Sequence, residues 1–262
     1  MFRWDSYRNI AMGKEDEAME NVLEVERLTK VYKNGRGVKN ITFSIEQGDV
    51  VGLLGPNGSG KTTIMKTIMG LCHANEGCIT VFGNDVEQDV EKTLENVGGL
   101  IERPAIYEYL SARDNLRMMA RFYPNVDEAR IDHVLDVVRM RKYQKDKTGK
   151  FSLGMKQRMG LAMAILSDPG LIILDEPTNG LDIEGTVEIR EMIRKMAEEK
   201  GTSFLIASHL AFEIEKTCNK VAVVHEGDLL AFETMEEALR LNPSLEDYFL
   251  SIVKEKRGSA LI

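Results

Sequence analysis

Three cysteines, an odd number among 262 residues, are too few to staple a secreted fold, so no disulfide framework is expected. Long apolar runs are missing as well. Uninterrupted stretches such as Leu161 to Leu166 and Leu171 to Leu174 fall far short of the ~20 residues that a membrane-spanning helix needs. Positive charge is in deficit, with 34 Lys and Arg against 42 Asp and Glu and a net charge of -8. Proteins that coat DNA or RNA neutralise phosphates with basic side chains, so no nucleic-acid partner is expected and an anionic ligand would need a local site. No internal repeat, heptad array or low-complexity tract occurs.

What is present is a chain with 43% hydrophobic residues, enough to bury one large domain or one domain with an inserted lobe. The opening MFRWDSYRNI lacks the apolar core of a secretory signal, which predicts a cytoplasmic protein. Residues 1–20 end in the acidic cluster KEDEAME and read as a flexible extension, with Met19 a second candidate start. Cys72, His73 and Cys78 lie close together, yet no second Cys/His pair completes a zinc set. His133 and His225 read as packed or surface histidines.

Ile41, Phe43 and Ile45 alternate with polar neighbours, as in a half-buried antiparallel strand, whereas DVVGLLG is continuously apolar, as in a strand covered on both faces. CITVFGNDV predicts another short strand and turn. From about 104 to 166 the period becomes helical: Ser111 can cap a segment reaching Arg121, and Ile131, Val134, Leu135 and Val138 share one face. LIILDE, SFLIAS and VAVVHEG then alternate with helical segments at 184–200 and 210–218, the pattern of a parallel sheet.

The chemistry concentrates at GPNGSGKTT, comprising Gly55, Pro56, Asn57, Gly58, Ser59, Gly60, Lys61, Thr62 and Thr63. This matches G-x-x-x-x-G-K-[ST], in which the glycines let backbone N–H groups converge on phosphate, the lysine reaches the terminal phosphates and the hydroxyl serves Mg²⁺. Farther on, Asp175 and Glu176 end an apolar strand. Two adjacent carboxylates there invite a division of labour, Asp175 holding the metal through water and Glu176 activating the attacking water. His209 closes another strand, where ligands of open α/β sheets collect. The stretch FSLGMKQRMGLAMAIL begins as a helix capped by Ser152, with Gly154, Lys156 and Arg158 close by. On its own it is an ordinary capped helix.

Phosphate loop, paired acids and strand-end histidine, in this order, resemble the nucleotide-binding subunits of the ATP-binding cassette (ABC) superfamily over roughly Val22 to Val253. The resemblance implies an α/β P-loop core with a parallel sheet, an antiparallel β region and an inserted helical subdomain. It matches Phe151, Ser152, Leu153, Gly154 and Met155 to the LSGGQ-like signature, so that Ser152 and Gly154 would bind ATP held by the other subunit of a head-to-tail dimer. It likewise matches Tyr32 to the aromatic stacked on adenine, Asp182 to the inter-subunit loop and His209 to the switch histidine. Leu153 and Met155 depart from the usual Gly and Gln. Glu102 stands where Gln is usual, and with YLSARDNL and FSLGMKQR it resembles the ATPase subunits of bacitracin-export and lantibiotic-immunity transporters.

The implied organisation is an extension over 1–20, a β region with the phosphate loop over 21–103, a helical subdomain over 104–166, the remaining core over 167–235 and a helical tail over 236–262. Thr62, Glu102 and Asp175 would serve Mg²⁺, a hard cation that accepts carboxylate as readily as amide. The extra charge of Glu102 would link metal binding to loop position more tightly than Gln does. The implied function is hydrolysis of ATP to power separate integral membrane permease subunits, with the chain peripheral on the inner membrane face. A cassette acting on ribosomes or DNA is the alternative class, and a metabolic P-loop kinase would leave Ser152 and His209 without a role.

Overall fold

The computed structural model describes residues 21–259; the extension expected over 1–20, Met19 included, lies outside them. The elements in chain order are β1 (Asn21–Val31), β2 (Gly37–Glu46), β3 (Val50–Leu54), α1 (Lys61–Ile68), β4 (Glu76–Val81), β5 (Asn84–Asp85), α2 (Val90–Leu94) and β6 (Val97–Leu100). There follow α3 (Ala112–Ala120), α4 (Glu128–Val137), α5 (Leu153–Ala164), β7 (Leu171–Asp175), α6 (Ile183–Lys200) and β8 (Ser203–Ser208). The chain continues through α7 (Ala211–Thr217), β9 (Lys220–His225), β10 (Asp228–Thr234), α8 (Met235–Leu239) and α9 (Leu245–Ser259).

Two sheets form. One is antiparallel, in the order β2-β1-β4-β5, and the other runs β10-β9-β3-β8-β7-β6 with only β10 antiparallel to its neighbour. This is the α/β architecture with an added antiparallel sheet that the sequence predicts. The apolar runs of β3, β7, β8 and β9 are explained by burial on both faces: Val51, Leu53, Leu171, Ile173, Leu205, Ala207, Ala222 and Val224 join one core. Their alternates Val50, Leu54, Ile172, Leu174, Phe204, Ile206, Val221 and Val223 join the other. Strand geometry sends successive side chains to opposite faces, so one sheet serves both cores. Ile64, Met65 and Ile68 of α1 fill the core between the two sheets.

The other core is shared with α3, α4 and α5 through Leu116, Ile131, Val134, Leu135, Met159 and Leu161. The first of these helices starts at Ala112, as the Ser111 cap predicts, and Asn115 and Thr148 hold the preceding segment without helix. Asn115 Oδ1 accepts from Tyr107 N at 2.8 Å, and Thr148 Oγ1 donates to Tyr107 O at 3.0 Å. Ser111 caps α3, accepting from Asp114 N. Among the described residues no helix is long and apolar enough to cross a membrane.

Candidate functional site

Parallel register brings the chemistry together. Leu54 pairs with Ser208 and Asp175 with Ala207, so β3, β7 and β8 end side by side and deliver Gly55, Glu176 and His209 to one rim. The loop from β3 to α1 is tightly constrained: Gly60 has φ 116°, and a Cβ there would stand 2.3 Å from Val38 Cγ1. That contact seats the β1–β2 hairpin against the phosphate loop. No side chain caps the first turn of α1, and Ser59 Oγ is buried without a hydrogen-bond partner. A buried polar atom left unpaired carries a desolvation cost, and the loop's donors suit an oxyanion.

Lys61 is 6% exposed, and its Nζ donates to Gly55 O at 2.7 Å and Pro56 O at 3.2 Å. Burial lowers its pKa, partly offset by Glu176 and Asp175. Thr62 Oγ1 donates to Asp175 Oδ2 at 2.9 Å. The Asp175 carboxyl is pushed up mainly by desolvation, opposed by the Thr62 hydrogen bond, with further upward pushes from Glu176 and Glu102. Hydroxyl and carboxylate oxygens converging in a negative environment fit a hard cation such as Mg²⁺. Among the described residues no three His, Cys, Asp or Glu side chains converge as a metal cluster.

Glu176 sits at φ 50°, an uncommon conformation for a non-glycine residue. Its Oε1 accepts from His209 N at 3.1 Å and lies 2.8 Å from His209 Nδ1, while Ser208 Oγ donates to Oε2 at 3.4 Å. The strand-end acid and histidine thus meet. Ser152 caps α5, its Oγ accepting from Met155 N at 3.2 Å, and Asp182 caps α6, accepting from Gly185 N at 2.8 Å. Ser152, Gly154 and Asp182 line one open cavity of about 700 Å³. α5 lacks a single wet face because Met159, Gly160, Leu161 and Ala162 are all buried.

Tyr32 is 39% exposed in the turn after β1, with Lys30 Nζ 5.5 Å from its ring centroid. The Glu102 carboxylate lies 2.6 Å from Lys66 Nζ. Sequence reasoning missed Lys66, although its spacing of four from Thr62 on a helix places both on one face. It also missed Gln157, whose Nε2 reaches Glu176 O, and Ser208. No local pattern marks either residue. His225 is buried in β9, and Cys78 Sγ points to Asp85 Oδ2 at 3.8 Å.

A phosphate loop beside a strand-end acid pair defines the P-loop nucleotide-binding class. Within it the comparisons are specific: the ABC transporter family pattern matches residues 38–179. The chain belongs to the ABC transporter family, as one of its ATP-binding, ATP-hydrolysing cassettes. It is 38% identical over 233 residues to the bacitracin transport ATP-binding protein BcrA of Bacillus licheniformis, covering 89% of this chain and 76% of that one. It is 36% identical over 237 residues to the lantibiotic transport ATP-binding protein SrtF of Streptococcus pyogenes, covering 90% and 100%. A solved ATP-binding subunit of an ABC transporter superposes with TM-score 0.81 at 28% identity, covering 88% of this chain and 99% of that one.

Proposed function

We propose that this chain works as a head-to-tail pair of cassettes, identical or paralogous, which hydrolyses ATP on the cytoplasmic face of the membrane. The pair would drive separate permease subunits that export a peptide antibiotic or another amphipathic compound. The observation that carries the catalytic part is the contact between Glu176 and His209, 2.8 Å from Oε1 to Nδ1, beside the Thr62–Asp175 pair. The cargo class rests on similarity to BcrA and SrtF.

In this reading the amides of Gly58 to Thr63 and the Lys61 ammonium bind the phosphates, Lys61 exchanging its two loop carbonyls for phosphate oxygen. Tyr32 stacks on the base. Glu176 takes the proton of the attacking water as the new O–P bond forms and the bond to the ADP oxygen breaks. His209, with its proton on Nδ1, holds Glu176 in line through two donors. Thr62 and Asp175, with Glu102, would hold Mg²⁺, which supplies neutralisation of developing phosphate charge. Ser152 and Gly154 close the partner's site and Asp182 lies at the seam.

The test is affinity purification of the full chain from native membranes, with assay of ATP turnover without any acceptor. Co-isolation of a polytopic membrane protein and acceptor-independent hydrolysis are expected. Recovery with ribosomes or DNA, or turnover only with a phosphate acceptor, would overturn the reading.

A further inference from the structure

Lys66 lies on α1 one helical turn beyond Thr62, so the two side chains leave the same face. Its Nζ sits 2.6 Å from Glu102 Oε1, across 36 residues of sequence. Glu102 follows β6 with φ 63°, so a local left-handed turn sets the direction of its side chain. Glu102 in turn acts on Asp175, which holds Thr62 Oγ1. Lys66 therefore shares a helix face with Thr62 and is already joined to Glu102, two of the proposed metal-holding residues.

A glutamine at position 102 could accept only a charge-assisted hydrogen bond from Lys66. With glutamate the contact is a full ion pair, stronger and geometrically more demanding. Its strength is bounded by solvent, since the Lys66 and Glu102 side chains are 33% and 61% exposed. A pair this wet biases a competing equilibrium by about 1.5- to 5-fold. That is enough to set the resting position of the carboxylate, and too little to resist a divalent cation.

We propose that Lys66 is a positioning residue which competes with the divalent cation for Glu102, holding the carboxylate until metal and nucleotide arrive and then yielding it. The inference rests on the assignment of Glu102 to Mg²⁺ under the proposed function. It makes the Glu102 segment report on metal occupancy, because departure from Lys66 moves a segment pinned a few residues later. There Gly149 N donates to Glu108 O at 2.9 Å, and the Glu108 carboxylate pairs with Lys156 of α5.

The experiment titrates Mg²⁺ against binding of a fluorescent ADP to the purified full chain, with no turnover involved. Lys66→Gln is expected to lower the Mg²⁺ concentration for half-maximal binding by about 2- to 5-fold, and Lys66→Arg to stay at the wild-type value. In a Glu102→Gln background, Lys66→Gln should shift it by less than about 1.5-fold, since the competitor has lost its charge. An equal shift in both backgrounds would reduce Lys66 to a through-space charge and overturn the proposal, as would no shift in either. Should Lys66→Gln fail to fold, Lys66→Met keeps the aliphatic stem and gives the same comparison. Failure of the wild type to bind nucleotide would instead overturn the proposed function, and the inference with it. Nucleotide binding with unaltered metal dependence in the Lys66 variants would overturn the inference alone.

Discussion

Gln157 Nε2 donates to the main-chain carbonyl of Glu176 across 3.2 Å, tying the helix that Ser152 caps to the end of the acidic strand. Gln157 is only 6% exposed, so solvent cannot readily replace it. Gln157→Leu keeps the apolar surroundings of α5 satisfied but leaves that carbonyl with Asn179 N, at 3.1 Å, as its remaining donor. The expected cost is about 0.5–1.5 kcal/mol, read by urea unfolding, together with slower ATP turnover as α5 loses its tie to the Glu176 backbone. Unchanged stability and turnover would make the contact incidental.

Glu176→Gln preserves the size of the side chain and its ability to accept from His209, but removes its capacity to take a proton. The variant should bind ATP, accumulate as a dimer on gel filtration with ATP, and turn over about 10²- to 10⁴-fold more slowly. Near-normal hydrolysis by the pure variant would assign the base elsewhere.

Asp175 gives a pH prediction whose sign follows from its desolvation. Its folded pKa lies above the ordinary 3.8, so between that value and the raised one the folded chain binds more protons than the unfolded chain. Its contribution to stability is therefore greatest below pH 3.8 and is lost as pH rises through the raised pKa. Asp175→Asn should raise the melting temperature of the nucleotide-free protein at pH 7, with the gain shrinking on acidification, while weakening Mg²⁺-dependent nucleotide binding. A melting temperature that falls at pH 7 would show that Asp175 is better compensated than its burial implies.

Mixed dimers test whether Ser152 and Gly154 act in trans. A Cβ at Gly154 would press on Leu181 Cδ2 at 3.2 Å and Gly180 O at 3.3 Å, so Gly154→Asp disturbs the signature and its neighbour together. With Lys61→Ala in one chain and Gly154→Asp in the other, both defects fall in one composite site and the second site stays intact. With both changes in one chain, each site carries one defect. Nucleotide trapping should survive at about half in the first dimer and vanish in the second. The reverse order would place the signature's action within its own subunit.

Much of this site was legible because its parts are contiguous. Gly55 to Thr63 carry in nine successive residues the backbone freedom, charge and hydroxyl that a phosphate cradle needs. The two-faced burial of β3, β7, β8 and β9 shows as unbroken apolar runs, and Asp175, Glu176 and His209 close two of those strands. Ser111 and Ser152 announce helix starts through a preference that acts within three residues. Local chemistry was enough for each.

Tertiary structure alone decided which of these parts touch. β6 reads poorly as a strand because Gly98 and Gly99 offer no side chain, yet a Cβ at Gly98 would stand 1.9 Å from Ala164 O. Close packing against the end of α5 demands the very residue that weakens the strand signal. The antiparallel edge β10 was likewise unmarked, since its residues are half-buried rather than cleanly alternating. The partners Lys66–Glu102 and Gln157–Glu176 meet only because α1, β6, α5 and β7 pack around one rim. Sequence specified the residues and their local conformations. Side chains dozens of residues apart acquired partners only when the parallel sheet fixed the distances between its strand ends, and no local preference encodes those distances.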